Sequence, residues 1–130
     1  MPRNHFVYKD KEVKRFNHVT VVKGEAKIKE STVSELTELE NKIQLISCEL
    51  WARPEVTGRA KCSPEDTFNE KTGLIVASRK AELKAAKLYL KTVDELIVLT
   101  ERYLELLRSM EDNIDYKTGK LTLDLFVRGK

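Results

Sequence analysis

The first quarter of the chain carries the apolar pattern of a β-hairpin. Val13–Val22 is rich in β-branched and aromatic residues that fall on both faces of an extended strand, and Ala26 and Ile28 alternate with lysines. Lys23–Gly24 stands between these two runs and supplies a turn, so we predict a hairpin that reverses there. The apolar patch at Phe6–Tyr8 fits a short strand or an arm.

Apolar residues then recur with helical spacing. They stand three and four residues apart and form one stripe: Leu36, Leu39, Ile43, Ile46 and Leu50. Thr32–Glu35 matches a capping box, and Arg53–Pro54 should end the helix because the residue before proline avoids helical angles. We predict a short helix here, although Ile43–Trp51 also fits a strand.

The strongest pattern lies between Leu74 and Thr118, where the chain has neither glycine nor proline. One line of apolar residues recurs every seven positions and a second stands three residues further on. We call them together the seam: Val76, Leu83, Leu90, Val93, Ile97, Leu104 and Leu107. Four such heptads are typical of a coiled coil. A helix unbroken from Glu70 to Glu111 would be about 60 Å long, so we expect it to pack on a second copy or to break at the capping box Thr92–Glu95.

Two more strands are predicted around this helix. Val56–Cys62 fits one strand, followed by a helix start at Ser63–Pro64. Asp115–Lys120 fits a turn, and the alternating leucines of Leu121–Val127 fit a final strand. The fold class is therefore α+β: a small antiparallel sheet, one short helix and one long heptad-patterned helix able to form a coiled-coil dimer. We expect a single domain over residues 1–130, with residues 1–12 as a flexible arm.

The formal net charge of +3 conceals two opposite blocks in the long helix. Residues 71–92 carry six basic side chains and one acidic one, whereas residues 93–116 carry two basic and seven acidic ones. This order opposes the helix dipole, which favours acidic groups near the N-terminus. An antiparallel second copy would offset that cost, so we predict a homodimer or a higher homo-oligomer formed through the seam.

Lysines form a basic stripe along the first half of the same helix: Lys80, Lys84, Lys87 and Lys91. The stripe fits a solvated outer face, or phosphate binding along a duplex, although the acidic half would repel a polyanion. It also fits an anionic nucleotide held between subunits, with Arg79 and Arg59 as phosphate contacts. These residues are our candidates for binding a partner or a phosphate.

Little in the sequence points to catalysis. It contains no Gly-rich phosphate loop, His-Glu-x-x-His motif or Cys-x-x-Cys motif. Cys48 and Cys62 are too few for a disulfide framework, and two histidines leave little for a zinc site. No apolar run is long enough to span a membrane, and the polar start lacks the apolar region of a signal peptide. We expect a cytoplasmic protein with no enzymatic activity, metal or cofactor. The single tryptophan, Trp51, fits either a binding anchor or the rim of the core.

Residues 57–79 resemble a segment found in small proteins encoded by bacteriophages and prophages. The likeness consists of a G-x-A-x-C strand, a P-E-D-x-F turn and a helix with an early glycine and a later arginine: Gly58, Ala60, Cys62, Pro64, Glu65, Asp66, Phe68, Gly73 and Arg79. It covers about a fifth of the chain and brings no catalytic residues with it. What it implies is a setting, since anti-CRISPR and other anti-defence proteins are similar in size and composition.

From this setting we expect a non-enzymatic interaction protein that binds and inhibits a bacterial host factor, such as a CRISPR effector or another anti-phage defence component. Two alternatives use the same basic residues. One is a DNA-binding accessory protein of phage replication or transcription. The other is a protein that sequesters an anionic nucleotide signal between its subunits.

Overall fold

The computed structural model describes residues 3–61 and 69–129. Its elements are β1 (Phe6–Phe16), β2 (Val19–Ile28), α1 (Glu30–Leu50) and α2 (Glu70–Arg128). A two-stranded antiparallel sheet, a short helix and a long helix confirm the predicted α+β class. The chain divides into two compact units, one of residues 1–41 and 101–130 and the other of residues 42–100.

The predicted hairpin is present, but its turn is elsewhere. β1 and β2 pair from Phe6 opposite Ile28 to Phe16 opposite Val19, so two residues, Asn17 and His18, connect them. Asn17 has φ 45°, a left-handed conformation that asparagine tolerates better than most residues. The turn predicted at Lys23–Gly24 is therefore wrong.

Gly24 instead lies inside β2. It pairs with Asp10, beside the irregularity in register between Asp10 and Glu12. A Cβ at this position would overlap the ring and hydroxyl of Tyr8 on the neighbouring strand. The glycine thus lets the Tyr8 ring lie across β2, and it does not serve chain reversal.

Helix α1 begins earlier than predicted. The amides of Thr32 and Val33 both donate to the carbonyl of Lys29, each at 3.0 Å. Thr32 therefore lies within the first turn, and the predicted capping box at Thr32–Glu35 is wrong. The helix ends at Leu50, shortly before Pro54 as predicted, and the strand alternative for Ile43–Trp51 is not observed.

The predicted stripe of α1 is confirmed as its less exposed side. All five of its members are partly buried: Leu36, Leu39, Ile43, Ile46 and Leu50. In the first unit, Tyr103 of α2 donates a 2.7 Å hydrogen bond to Glu40 Oε1 of α1. This bond ties the two helices together at the edge of the stripe.

Helix α2 is continuous over 59 residues. The break considered at Thr92–Glu95 does not occur. Inside the helix the Thr92 hydroxyl donates to the Leu88 carbonyl at 3.1 Å, which is how a threonine within a helix satisfies its hydroxyl. The described part of the strand predicted at 56–62, residues 56–61, is irregular. Cys62 and the predicted helix start at Ser63–Pro64 lie outside the described residues.

The turn predicted at Asp115–Lys120 and the strand predicted at Leu121–Val127 are both wrong, because α2 runs through them. The hydroxyl of Thr118 donates to the Ile114 carbonyl at 2.8 Å. Arg128 pairs with Asp124 one turn before it at 2.7 Å. These contacts between residues four apart exist only in a helix.

Few apolar side chains are covered by the fold. Among the residues that the structure describes, Leu99 and Leu106 are the only buried apolar side chains, each 8% exposed. The chain has an accessible surface of 11334 Å², whereas a folded monomer of this length exposes about 7,000 Å². Much of the apolar surface is therefore available for contacts with other molecules.

The continuous helix makes a prediction at Gly119, where a Cβ would meet nothing within 4 Å. We expect Gly119→Ala to raise the free energy of unfolding by about 0.5–1 kcal/mol, because alanine loses less backbone entropy in a helix. Denaturant unfolding followed by circular dichroism measures this change. Gly24→Ala is the matched control, which should not gain stability to the same degree, because its Cβ would displace the Tyr8 ring. A loss of stability on Gly119→Ala would indicate the turn that the sequence first suggested.

Candidate interaction surfaces

The seam lies on the uncovered side of α2. All seven of its side chains are exposed, Leu90 by 61%. Ile97 of the seam and the buried Leu99 are two residues apart, which corresponds to about 200° around a helix. The helix is therefore apolar on two nearly opposite sides. The fold buries the side that carries Leu99 and leaves the seam, which the heptad pattern identified, exposed.

The four lysines of the basic stripe are all exposed on α2, but they are not equivalent. The Lys84 ammonium donates a 2.6 Å hydrogen bond to the carbonyl of Thr57. Arg79, beside the stripe, forms a salt bridge with Glu82 at 3.3 Å. Two of the predicted phosphate contacts are thus already engaged within the chain.

Arg59 is exposed on the segment that Lys84 holds. Its neighbour Gly58 lies so close to α2 that a Cβ would overlap the Ala77 carbonyl and approach the Ala81 amide. Small residues on both sides allow this approach, and the described segment rests directly on the helix backbone.

Lys87 and Lys91 line a groove in the second unit, which we call the central groove. It has a volume of about 610 Å³. Its apolar wall includes Ile46 of α1 and Leu90 and Leu99 of α2, and its charged lining also includes Asp94 and Glu95. The structure thus brings two stripe lysines together with two carboxylates, a mixed lining that suits a polar protein edge better than a polyanion.

A second groove, the C-terminal groove, lies in the first unit and was not predicted. It has a volume of about 660 Å³ and is lined mainly by the last turns of α2: Asn4, Asn113, Tyr116, Lys117, Lys120, Leu121, Leu123, Asp124 and Val127. The sequence analysis missed this groove because the alternating leucines of Leu121–Val127 predicted a strand with one face in a sheet.

Two lysines at the C-terminal groove are held over aromatic rings. Lys117 Nζ lies 5.1 Å from the centre of the Phe6 ring, and Lys120 Nζ lies 5.6 Å from that of Tyr116. Such cation–π contacts restrict the lysine side chains before any partner arrives. The groove therefore combines an apolar floor with a partly ordered basic rim.

Two residues that the sequence singled out lie at the surface. The side chain of Trp51 is 83% exposed, so its interpretation as part of the core rim is wrong. Cys48 is a free thiol on the exposed part of α1. An exposed tryptophan is the residue type most often found as an anchor in protein interfaces.

A buried polar cluster, which we call the His5 cluster, was missed by the sequence analysis. His5 Nδ1 lies 2.9 Å from the Thr32 hydroxyl and Nε2 lies 2.8 Å from the Ser109 hydroxyl. The His5 amide donates to Asn113 Oδ1 at 2.9 Å, and its carbonyl accepts from the Lys29 amide at 2.8 Å. Every polar group of a fully buried residue is satisfied, which ties the start of β1 to both helices.

The cluster pairs a hydroxyl with an imidazole, as nucleophilic catalysis requires. However, the His5 side chain is fully buried, so no substrate reaches the imidazole, and its partners are explained by the need to satisfy buried polar atoms. The signal for Ser109 and Asn113 was weak: two polar residues four positions apart on the helix side that also carries Leu106. No local pattern pointed to His5.

The environment of His5 favours the neutral imidazole. Burial, with a smaller contribution from the positive charge of Arg3, holds the pKa of His5 below its ordinary value of 6.5. Nearby, a hydrogen bond from Arg3 lowers the pKa of Glu35 below its ordinary value of 4.5. The two groups therefore affect stability in different ranges of pH.

The lowered pKa of His5 makes stability depend on pH. The unfolded chain binds more protons than the folded one between the folded pKa and 6.5, so the contribution of His5 is complete above pH 6.5 and falls as the pH decreases below it. We expect His5→Gln to lower the free energy of unfolding by about 1–3 kcal/mol at neutral pH, because the hydroxyls of Thr32 and Ser109 lose the imidazole as their partner. It should also flatten the pH dependence between pH 6.5 and about pH 5, above the range in which Glu35 acts.

Denaturant unfolding of wild type and variant across this range measures both effects. His18→Gln, which removes an exposed imidazole at the hairpin turn, is the matched control and should change stability at neutral pH by less than about 0.5 kcal/mol. Wild-type stability with unaltered pH dependence in His5→Gln would contradict the assignment.

Among residues 3–61 and 69–129, no group of three or more His, Cys, Asp or Glu side chains is arranged to hold a metal ion. In the same part of the chain, no helix is long and apolar enough to cross a membrane. Comparisons with protein-family models, with curated proteins and with solved structures find no match to the chain.

Proposed function

We propose that the chain is a non-enzymatic interaction protein of the phage type, which binds a bacterial host protein in the cytoplasm and inhibits it. The observation that supports this proposal most directly is the exposed apolar surface at the C-terminal groove. Leu123 of this groove is 64% exposed, and the neighbouring leucines and valine of the last turns of α2 are exposed to a similar degree. Contiguous apolar surface of this kind marks binding sites for proteins more often than for small ions.

The groove indicates the chemistry of its partner. Its floor of leucine and valine side chains fits an apolar ridge, such as one side of a helix. The lysines at its rim, Lys117 and Lys120, favour acidic side chains next to that ridge. Because both lysines already rest on aromatic rings, less side-chain entropy is lost when the partner binds.

The basic stripe supports the nucleic-acid and nucleotide alternatives less well. Lys84 is held by the Thr57 carbonyl, and Lys87 and Lys91 share the central groove with two carboxylates. A site for phosphates normally places basic groups without such neighbours. We therefore treat these alternatives as outcomes of the test below.

The test compares two leucines of the same helix segment. Leu123 lines the C-terminal groove and Leu125, 70% exposed, does not. Tagged wild-type protein and the variants Leu123→Glu and Leu125→Glu are used to capture partners from a nuclease-treated bacterial lysate, and each captured protein is then titrated in purified form. We expect Leu123→Glu to weaken binding at least about tenfold, because it replaces a leucine side chain that the partner would bury with a charged one. Leu125→Glu should bind as wild type does.

Three results would contradict the proposal. Equal effects of both substitutions would show that the groove is not the binding site. Loss of every captured protein after nuclease treatment would favour the nucleic-acid alternative. A wild-type protein that captures nothing, but melts at a higher temperature with an added nucleotide, would favour nucleotide sequestration.

A further inference from the structure

Four charged residues stand seven positions apart along α2, on one flank of the seam. We call them the charge row: Lys80, Lys87, Asp94 and Glu101. All four are exposed, and within the part of the chain that the structure describes none of them is in a salt bridge. The signs of the row run plus, plus, minus, minus, so the same row read backwards is its electrostatic complement.

We propose that α2 pairs antiparallel with α2 of a second copy of this chain, in the register that sets Leu90 of one copy against Val93 of the other. The two-fold axis then passes between Lys91 and Thr92. The proposal goes beyond the function proposed above and uses a different side of α2. A failure here leaves binding at the C-terminal groove untouched.

The apolar layers agree with this register except the one in which Leu104 meets Arg79 of the second copy. On either side of the central Leu90–Val93 layers, Ile97 meets Ala86 of the second copy and Leu83 meets Thr100 of the second copy. Large side chains thus oppose small ones, as interdigitated helices require. Further out, the exposed Val76 meets the equally exposed Leu107 of the second copy.

The charge row selects the same register independently. Flanking positions of antiparallel helices pair with their own kind, so Lys87 faces Asp94 of the second copy and Lys80 faces Glu101 of the second copy. The two-fold axis repeats each pair, giving four contacts between opposite charges and none between like charges. A parallel arrangement would instead place the basic half of one helix beside the basic half of the other.

The chain has more uncovered surface than such a dimer needs. It exposes 11334 Å², roughly 4,000 Å² more than a folded monomer of its length. Stable homodimers bury about 2,000–5,000 Å² in total, or about 1,000–2,500 Å² of each copy, so the seam would cover part of this excess. The central groove, with Leu90 in its wall and Lys87 and Asp94 in its lining, leaves room beside the seam for the second helix.

Two complementary variants test the register. Lys80→Glu with Lys87→Glu makes the row wholly acidic, and Asp94→Lys with Glu101→Lys makes it wholly basic. Each variant alone turns four attractions into four repulsions, so we expect its dimer to dissociate at about hundredfold higher concentration than wild type. An equimolar mixture of the two variants restores all four attractions, and we expect it to form a heterodimer.

Sedimentation equilibrium at low salt compares wild type, the two variants and their mixture, and circular dichroism verifies that each variant remains helical. Arg102→Glu is the matched control, because Arg102 is exposed on the same helix outside the row and the seam and the variant should dimerise as wild type does. A wild-type chain that stays monomeric at micromolar concentration overturns the proposal. So does a mixture that dimerises no better than its components, or an Arg102→Glu control as defective as the row variants.

Discussion

The structure depends on one constraint: among the described residues, one short helix and one hairpin accompany a 59-residue helix with apolar side chains on two nearly opposite sides. On one of these sides lie Leu99 and Leu106, the only buried apolar side chains described. The opposite side keeps the seam exposed. A core this small contributes little burial free energy, so polar contacts within the chain carry an unusual share of its stability.

The His5 cluster shows what such polar contacts achieve. One buried residue accepts or donates four hydrogen bonds, to Thr32, Ser109, Asn113 and the Lys29 backbone, and so fixes the hairpin to both helices in the first unit. A hydrogen bond adds only about 1 kcal/mol when made, but a buried group left without its partner costs more. The cluster therefore acts more by penalising other arrangements than by adding stability to this one. Its position beside Asn113 also anchors the part of α2 that forms the C-terminal groove.

Local periodicity predicted the fold class, the hairpin and the stripe of α1, because each of these is encoded by neighbouring residues. It failed where one local pattern fits two structures. Alternating leucines at 121–127 fit a strand, yet the chain stays helical there, and the hydroxyl of Thr118 and the pair Asp124–Arg128 are satisfied within that helix. It placed the hairpin turn at Gly24 because glycine is a stronger turn signal than asparagine. Nothing local in the sequence indicates that Asn17 takes the left-handed conformation. The His5 cluster and the C-terminal groove were beyond prediction, since they join residues over a hundred positions apart.

The charge distribution of α2 follows from the same uncovered seam. In a two-fold interface, each side chain meets the same surface on a second copy of the chain. A positive side chain is therefore paired with a negative one only if the chain carries a negative side chain at the equivalent distance on the other side of the axis. A helix that is complementary to itself must therefore be close to neutral. Residues 71–116 carry eight basic and eight acidic side chains, a balance that a polyanion-binding helix has no reason to keep. Near-neutrality with opposite blocks is thus what the proposed self-recognition requires of this segment. The remaining net charge of +3 lies in residues 117–130, at the C-terminal groove, where a different partner can use it.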